Sequence, residues 1–157
     1  MKRVYLDNSA TTRIDEGVFE AMKPYFLEKY GNPGSLHSLG REARDAVEKS
    51  RKIISDFINC KSSEIIFTGV GTEADNLALE GVAWANQNKG KHIITSKIEH
   101  PAVRETCKFL ESHGFKVTWL DVDSEGLINP KDVEKAITKE TILVSIMHVN
   151  NEIGTIQ

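Results

Sequence analysis

The stretch HIITSKIEHPAVRETCKFLESHGFKVTWLDV (92–122) decides how this chain is read. Its first residues, His92 to Ser96, form a short run suited to a buried strand, and polar residues follow. His100 and Pro101 come next, and a proline there suits the first turn of a helix. Val103, Cys107 and Leu110 then repeat at helical spacing across 101–113. Lys116 to Val122 reads as a second strand. Strand, helix and strand joined by short turns imply a βαβ crossover and parallel pairing.

The same rhythm extends outward. A helix is predicted over 72–88, another over about 130–139, and a strand from Thr141 to Val149. Upstream, Glu64 to Thr68 reads as a short strand, and a helix covers roughly 41–59 with Ala43, Val47, Ile54 and Phe57 near helical spacing. Asp15 suits the cap of a helix carrying Val18, Phe19, Met22 and Phe26, with a kink or break expected at Pro24. GNPGSLHSLG (31–40) is a loop by composition, and Val4 to Leu6 a short strand. The fold class is therefore α/β, a mainly parallel sheet with helices on both faces. Residues 1–14 read as an N-terminal segment and 15–157 as one body.

Bulk properties exclude several roles. With a net charge of -3, nothing favours nucleic acid or an anionic membrane surface. No apolar run reaches membrane-spanning length, and MKRVYLDNS lacks the apolar core of a signal peptide, so a cytoplasmic location is expected. Cys60 and Cys107 have neither metal-ligand nor CxxC spacing; no metal site or disulfide is expected, and both read as small apolar residues.

Chemistry in such a sheet gathers where the strands end. In IIFTGVGTEADN (65–76), glycines precede a helix opened by Thr72, with Asp75 three residues on. Thr72 reads as the N-cap, and glycines at a helix N-terminus let backbone N–H groups approach a phosphate. Gly69, Gly71 and Ala74 also spell the dinucleotide pattern G-x-G-x-x-A, with Glu99 available as the ribose-binding acid. Glu73 and Asp75, however, place two carboxylates beside that position, which suits a monophosphate held by Thr72 better than a diphosphate. His100 lies just after a strand, where an imidazole can stack on a planar ligand or move a proton. At the end of the chain, His148, Asn150 and Asn151 either bond their own loop or offer an amide to a ligand's ring oxygen.

Together these residues resemble the pyridoxal-phosphate-dependent cysteine desulfurases, class V within the aminotransferase-type architecture (fold type I). The resemblance rests on YLDNSATT (5–12), GNPGSLHSLGREA (31–43), FTGVGTEADNLAL (67–79), HIITSKIEHPAV (92–103) and ILVSIMHVNNEIGTIQ (142–157), in family order. It implies that Gly71 and Thr72 hold the phosphate of pyridoxal 5'-phosphate. It makes His100 the histidine stacked on the pyridine ring and a candidate for proton transfer, and Asn151 the partner of the ring's phenolic oxygen. Segments 8–12 and 31–37 match the substrate side. One departure is Gly69-Val70, where the family more often has Ser-Gly.

The resemblance further implies conversion of L-cysteine to L-alanine with sulfur left as an enzyme persulfide, for an iron–sulfur scaffold or another sulfur-acceptor protein, in a homodimer when intact. It places the Schiff-base lysine, the aspartate facing the pyridine nitrogen, the substrate-binding arginine and the persulfide cysteine beyond these residues. The chain is therefore expected to be the N-terminal part of the large, cofactor-binding domain, inactive alone. Alternatives are a selenocysteine lyase or aminotransferase of the same class, a nicotinamide-dinucleotide-binding module, and a non-catalytic half of a split enzyme.

Overall fold

A computed structural model describes residues 3–157. They divide into two compact units, one ending at Phe67 and one spanning Thr68–Gln157.

The second unit carries the sheet. Numbered in chain order after the two helices of the first unit, its elements are α3 (Gly71–Asn86), β1 (His92–Ser96), α4 (Pro101–Ser112), β2 (Lys116–Leu120), α5 (Pro130–Ala136) and β3 (Thr141–Ser145). The strands run parallel in the order β2-β1-β3, so the α/β reading holds. His92 pairs with Lys116 on one side and Thr141 on the other, and the β3 register shifts between His92 and Ile93. All of β1 is buried, as a central strand should be. Ile93, Phe115 and Val117 pack with Leu79 and Ala83 of α3 and with Val103, Cys107 and Leu110 of α4. Each fully buried aliphatic side chain there contributes roughly 1.5–3 kcal/mol. Cys107 is fully buried among them; burial, with Glu111 and Glu99 adding to it, pushes its thiol up to about 11, so it stays an inert core residue.

Local signals set the helix ends. Pro101 opens α4, and Gly114, in the left-handed region at φ +87, follows its C-cap His113. β3 stops at Ser145, four residues short of the expected end, because the chain turns into a hairpin in which Val149 pairs with Ile156 in an antiparallel bridge.

The first unit holds α1 (Glu16–Leu27), α2 (Ser38–Phe57) and a 3-10 turn at Ser62–Glu64. Asp15 caps α1 as expected, accepting from Gly17 N and Val18 N. The helix runs on past Pro24 for one turn; the proline withholds one bond from Glu20, and Glu28 and Lys29 both donate to Pro24 O. α2 starts three residues earlier than expected because His37 Nδ1 caps it at Gly40 N. The strand expected at Glu64–Thr68 is absent, as is the one at Val4–Leu6. Neither run has a partner strand among the described residues, and Ile66 and Phe67 lie exposed. Arg51 instead donates to Ile65 O and sits 4.9 Å over the Phe67 ring.

Candidate functional site

β1 and β3 are neighbours, and the chain leaves both at their carboxyl ends, where parallel sheets bind ligands. Two reciprocal bonds tie those exits together. Buried Glu99, after β1, accepts at Oε1 from Ser96 Oγ and from Met147 N, both at 2.9 Å. Buried Asn150, after β3, donates from Nδ2 to Ile98 O at 3.0 Å. Its Oδ1 accepts from Glu152 N at 2.8 Å and Ile153 N at 3.0 Å, closing the turn. The hairpin is anchored again by Gln157, which bonds Ile128 N and Gly126 O.

His100 and Asn151, each one residue further on, are exposed. They line one cavity of about 270 Å³ together with Glu99, Arg104, Asn150 and Ile153. His100 caps α4, its Nδ1 accepting from Ala102 N at 3.1 Å, so the proton of the neutral ring belongs on Nε2. That leaves Nε2 and the ring face to meet a ligand. Asn151 has no side-chain hydrogen-bond partner among the described residues. Of the adjacent asparagines, then, Asn150 serves the loop and Asn151 stays available.

The start of α3 is different. Its N-cap is Val70, which offers no side-chain bond, so the expected capping role of Thr72 is not realised; Thr72 lies inside the first turn. The first helix bond runs from Ala74 N to Val70 O. The N–H groups of Gly71, Thr72 and Glu73 consequently have no partner among the described residues. The Glu73 carboxylate turns back and accepts from Gly69 N at 2.7 Å. A Cβ at Gly71 would meet nothing within 4 Å, so the chain is uncrowded on that side of Gly71. Thr72 lines a separate cavity of about 450 Å³ with Val70, Glu73 and Asn76, and Gly71 lines neither.

Asn76 connects the two places. One end of its amide faces three oxygens, and with the nitrogen assigned to that end it donates to Thr72 O at 3.1 Å, Ala102 O at 3.2 Å and Thr106 Oγ1 at 2.7 Å. Thr106 gives its own proton to Ala102 O, so the donor end of the amide must face these acceptors. The first turns of α3 and α4 are thereby held side by side. Sequence reasoning missed Asn76; of the two roles it left open for Asn150, bonding its own loop is the one observed, and its bond to Ile98 O was not foreseen. For Glu99 and Asn150, the signal available was their place immediately before the two candidate ligand-reading residues.

The dinucleotide reading fails on two counts. No strand leads into Gly69, and Glu99 is buried with one oxygen committed to Ser96 and Met147. What remains is a set of unpartnered N–H groups at the start of α3 and, on a separate cavity, the Asn151 amide and the exposed Nε2 side of His100.

Residues 4–157 match the family described as Aminotransferase class-V. The chain belongs to that family. It is 59% identical over 158 residues to "Cysteine desulfurase IscS" of Dictyoglomus turgidum, covering 100% of this chain and 40% of that protein. The solved structure "NIFS-LIKE PROTEIN" superposes with a TM-score of 0.95 at 47% identity, covering 99% of this chain and 43% of the other. A second, "SspA in complex with cysteine", gives a TM-score of 0.91 at 44% identity, over 98% and 44% of the respective chains. The chain thus spans about 40% of the length of the curated relatives it matches. No helix among the described residues is long and apolar enough to cross a membrane.

Enzymes of this family and its desulfurases use pyridoxal 5'-phosphate. The donor set fits that group: three unpartnered N–H groups suit a phosphate, and a free amide and imidazole suit a polar aromatic ring.

Proposed function

We propose that the protein carrying this chain is a cysteine desulfurase, converting L-cysteine to L-alanine and leaving sulfur as an enzyme persulfide for iron–sulfur cluster assembly or another acceptor protein. The observation that carries the site is the meeting of His100 and Asn151 on one cavity, with Asn76 tying the start of α4 to the open N-terminus of α3. Residues 15–157 are then part of the large cofactor-binding domain of a cytoplasmic homodimer.

Pyridoxal phosphate, when bound, supplies an electron sink for bonds around the substrate's α-carbon. In this reading the backbone N–H groups of Gly71 and Thr72 bind its phosphate, aided by the positive end of α3. Asn151 donates its amide to the ring's phenolic oxygen and sets the ring's rotation. His100 stacks against the ring and, with Nδ1 occupied by Ala102 N, presents Nε2 as the atom that holds and moves a proton. The substrate assignment draws on relatives named as cysteine desulfurases and on one solved with cysteine.

The test is to supply the full-length protein with pyridoxal phosphate, L-cysteine and a thiol reductant. Alanine and sulfide in equal amounts are expected. Amine exchange with a keto acid would overturn the reading in favour of an aminotransferase, and activity confined to selenocysteine in favour of a lyase. The 157-residue chain alone is expected to release no alanine.

A further inference from the structure

The two residues proposed to read the cofactor ring stand on separate loops whose partners are distant in sequence. Each is preceded by a buried residue that borders the same cavity and spends a hydrogen bond on the other loop: Glu99 accepts from Met147 N, and Asn150 donates to Ile98 O. The pattern is reciprocal, with buried brace and exposed reader alternating at 99–100 and again at 150–151. Either brace fixes one loop against the other, and together they leave little freedom in the separation of His100 from Asn151. A ligand gripped from two loops binds tightly only if that separation is set beforehand.

We infer that Glu99 and Asn150 are positioning residues, a crossed pair of braces that sets the spacing of His100 and Asn151 and hence the seating of the pyridoxal ring. This rests on the site reading above. The brace works through Glu99 as an acceptor, so its charge is dispensable. A glutamine keeps a carbonyl oxygen able to take both the Ser96 hydroxyl and the Met147 N–H. For Asn150 the two functions separate: aspartate keeps the oxygen that closes the turn at Glu152 N and Ile153 N but loses the donor to Ile98 O.

The experiment uses the full-length protein, stripped of cofactor and reloaded with pyridoxal 5'-phosphate. Cofactor dissociation constant, circular dichroism in the cofactor's absorption band and thermal midpoint are measured together. Glu99→Ala and Asn150→Asp are expected to weaken cofactor binding about tenfold, each losing its one buried hydrogen bond between the loops. Both should also flatten the cofactor's dichroism at temperatures well below unfolding. Glu99→Gln should stay within about twofold of the parent on both readouts. A purely structural role would lower the thermal midpoint and leave binding and dichroism of the folded protein unchanged, which overturns the inference. So does a Glu99→Gln variant as impaired as Glu99→Ala, because the charge would then be acting. Should Glu99→Ala fail to fold, Asn150→Asp decides alone. His100→Ala and Asn151→Ala serve as the reference: if neither changes cofactor binding, the site reading itself fails. If they weaken it while the brace variants do not, only the positioning role falls.

Discussion

Residues 68–157 and residues 3–67 both carry well-formed helices, yet they hold them by different means. In the second unit, α3 and α4 bury Leu79, Ala83, Cys107 and Leu110 against the sheet. In the first, α1 buries no residue at all, and α2 buries only Gly40, Ala43 and Ser55. A groove of about 660 Å³ there is lined by apolar groups such as Tyr25, Tyr30, Val47 and Phe67. Local devices carry the first unit instead: the Asp15 cap, the Lys52–Asp56 pair one turn apart, and the Arg44 Nε bond to Pro33 O at 2.9 Å. Packing energy and capping energy differ several-fold in size, so the units should answer mutation differently.

The largest effect is expected at Leu110, fully inaccessible in the core. Leu110→Ala should cost about 2–5 kcal/mol through lost transfer energy and the cavity left behind. Both tryptophans, Trp84 and Trp119, pack on that core, so fluorescence-monitored urea unfolding reads this unit specifically. A loss below about 1 kcal/mol would show that the core collapses around the gap and would blur the contrast.

Next comes a tight backbone contact in the first unit, at Gly40. A Cβ at Gly40 would lie 2.3 Å from Ser35 O and 2.8 Å from Asn32 O, both backbone atoms that are not free to step aside. Gly40→Ala is expected to cost about 1–3 kcal/mol. Amide hydrogen exchange over 31–45 should speed up while the tryptophan-monitored transition keeps its midpoint. If that midpoint falls as well, the two units unfold together.

A smaller, pH-dependent effect belongs to the sheet. Buried His92 spans all three strands, Nδ1 at 2.7 Å from Thr141 Oγ1 and Nε2 at 2.8 Å from Thr118 Oγ1. Burial, and then the charge of Lys116, lower its pKa below the ordinary 6.5. The unfolded chain therefore binds the proton first as pH falls, and stability declines below about 6.5 while staying flat above it as far as this group is concerned. His92→Gln should narrow the difference between urea midpoints at pH 7.5 and 5.5. An unchanged difference would place the acid sensitivity elsewhere.

The same contrast explains what the sequence made legible. β1 and the start of α4 could be read to the residue, because a central strand is buried throughout and Pro101 and His100 carry their signals locally. The run at Glu64–Thr68 looked equally strand-like, but no strand among the described residues pairs with it, and pairing is not written in a single run. His100 and Asn151 were picked out by their place after strands and by family resemblance. Glu99 was read as a ribose-binding acid and Asn150 as bonding its own loop, which it does; the braces they make across the loops were not legible, because those partners lie 48 and 52 residues away along the chain. Thr72 was misread as a cap because the helix starts two residues earlier than the Ser/Thr preference suggests, with Val70 as its N-cap.

The smallest expected effect is the most discriminating. Phe57 ends α2 with 89% of its surface exposed, so as it stands the ring contributes almost no burial. Phe57→Ser in the 157-residue chain should change stability by no more than about 0.5 kcal/mol, the range of ordinary surface substitutions. Hydrogen exchange over α2 checks this, since neither tryptophan lies in that unit. Serine lowers the intrinsic helix preference only slightly relative to phenylalanine, and the last turn frays in any case. A loss above about 1 kcal/mol could not come from propensity; it would mean the ring is covered by apolar contacts in solution, and that the first unit is held by packing after all.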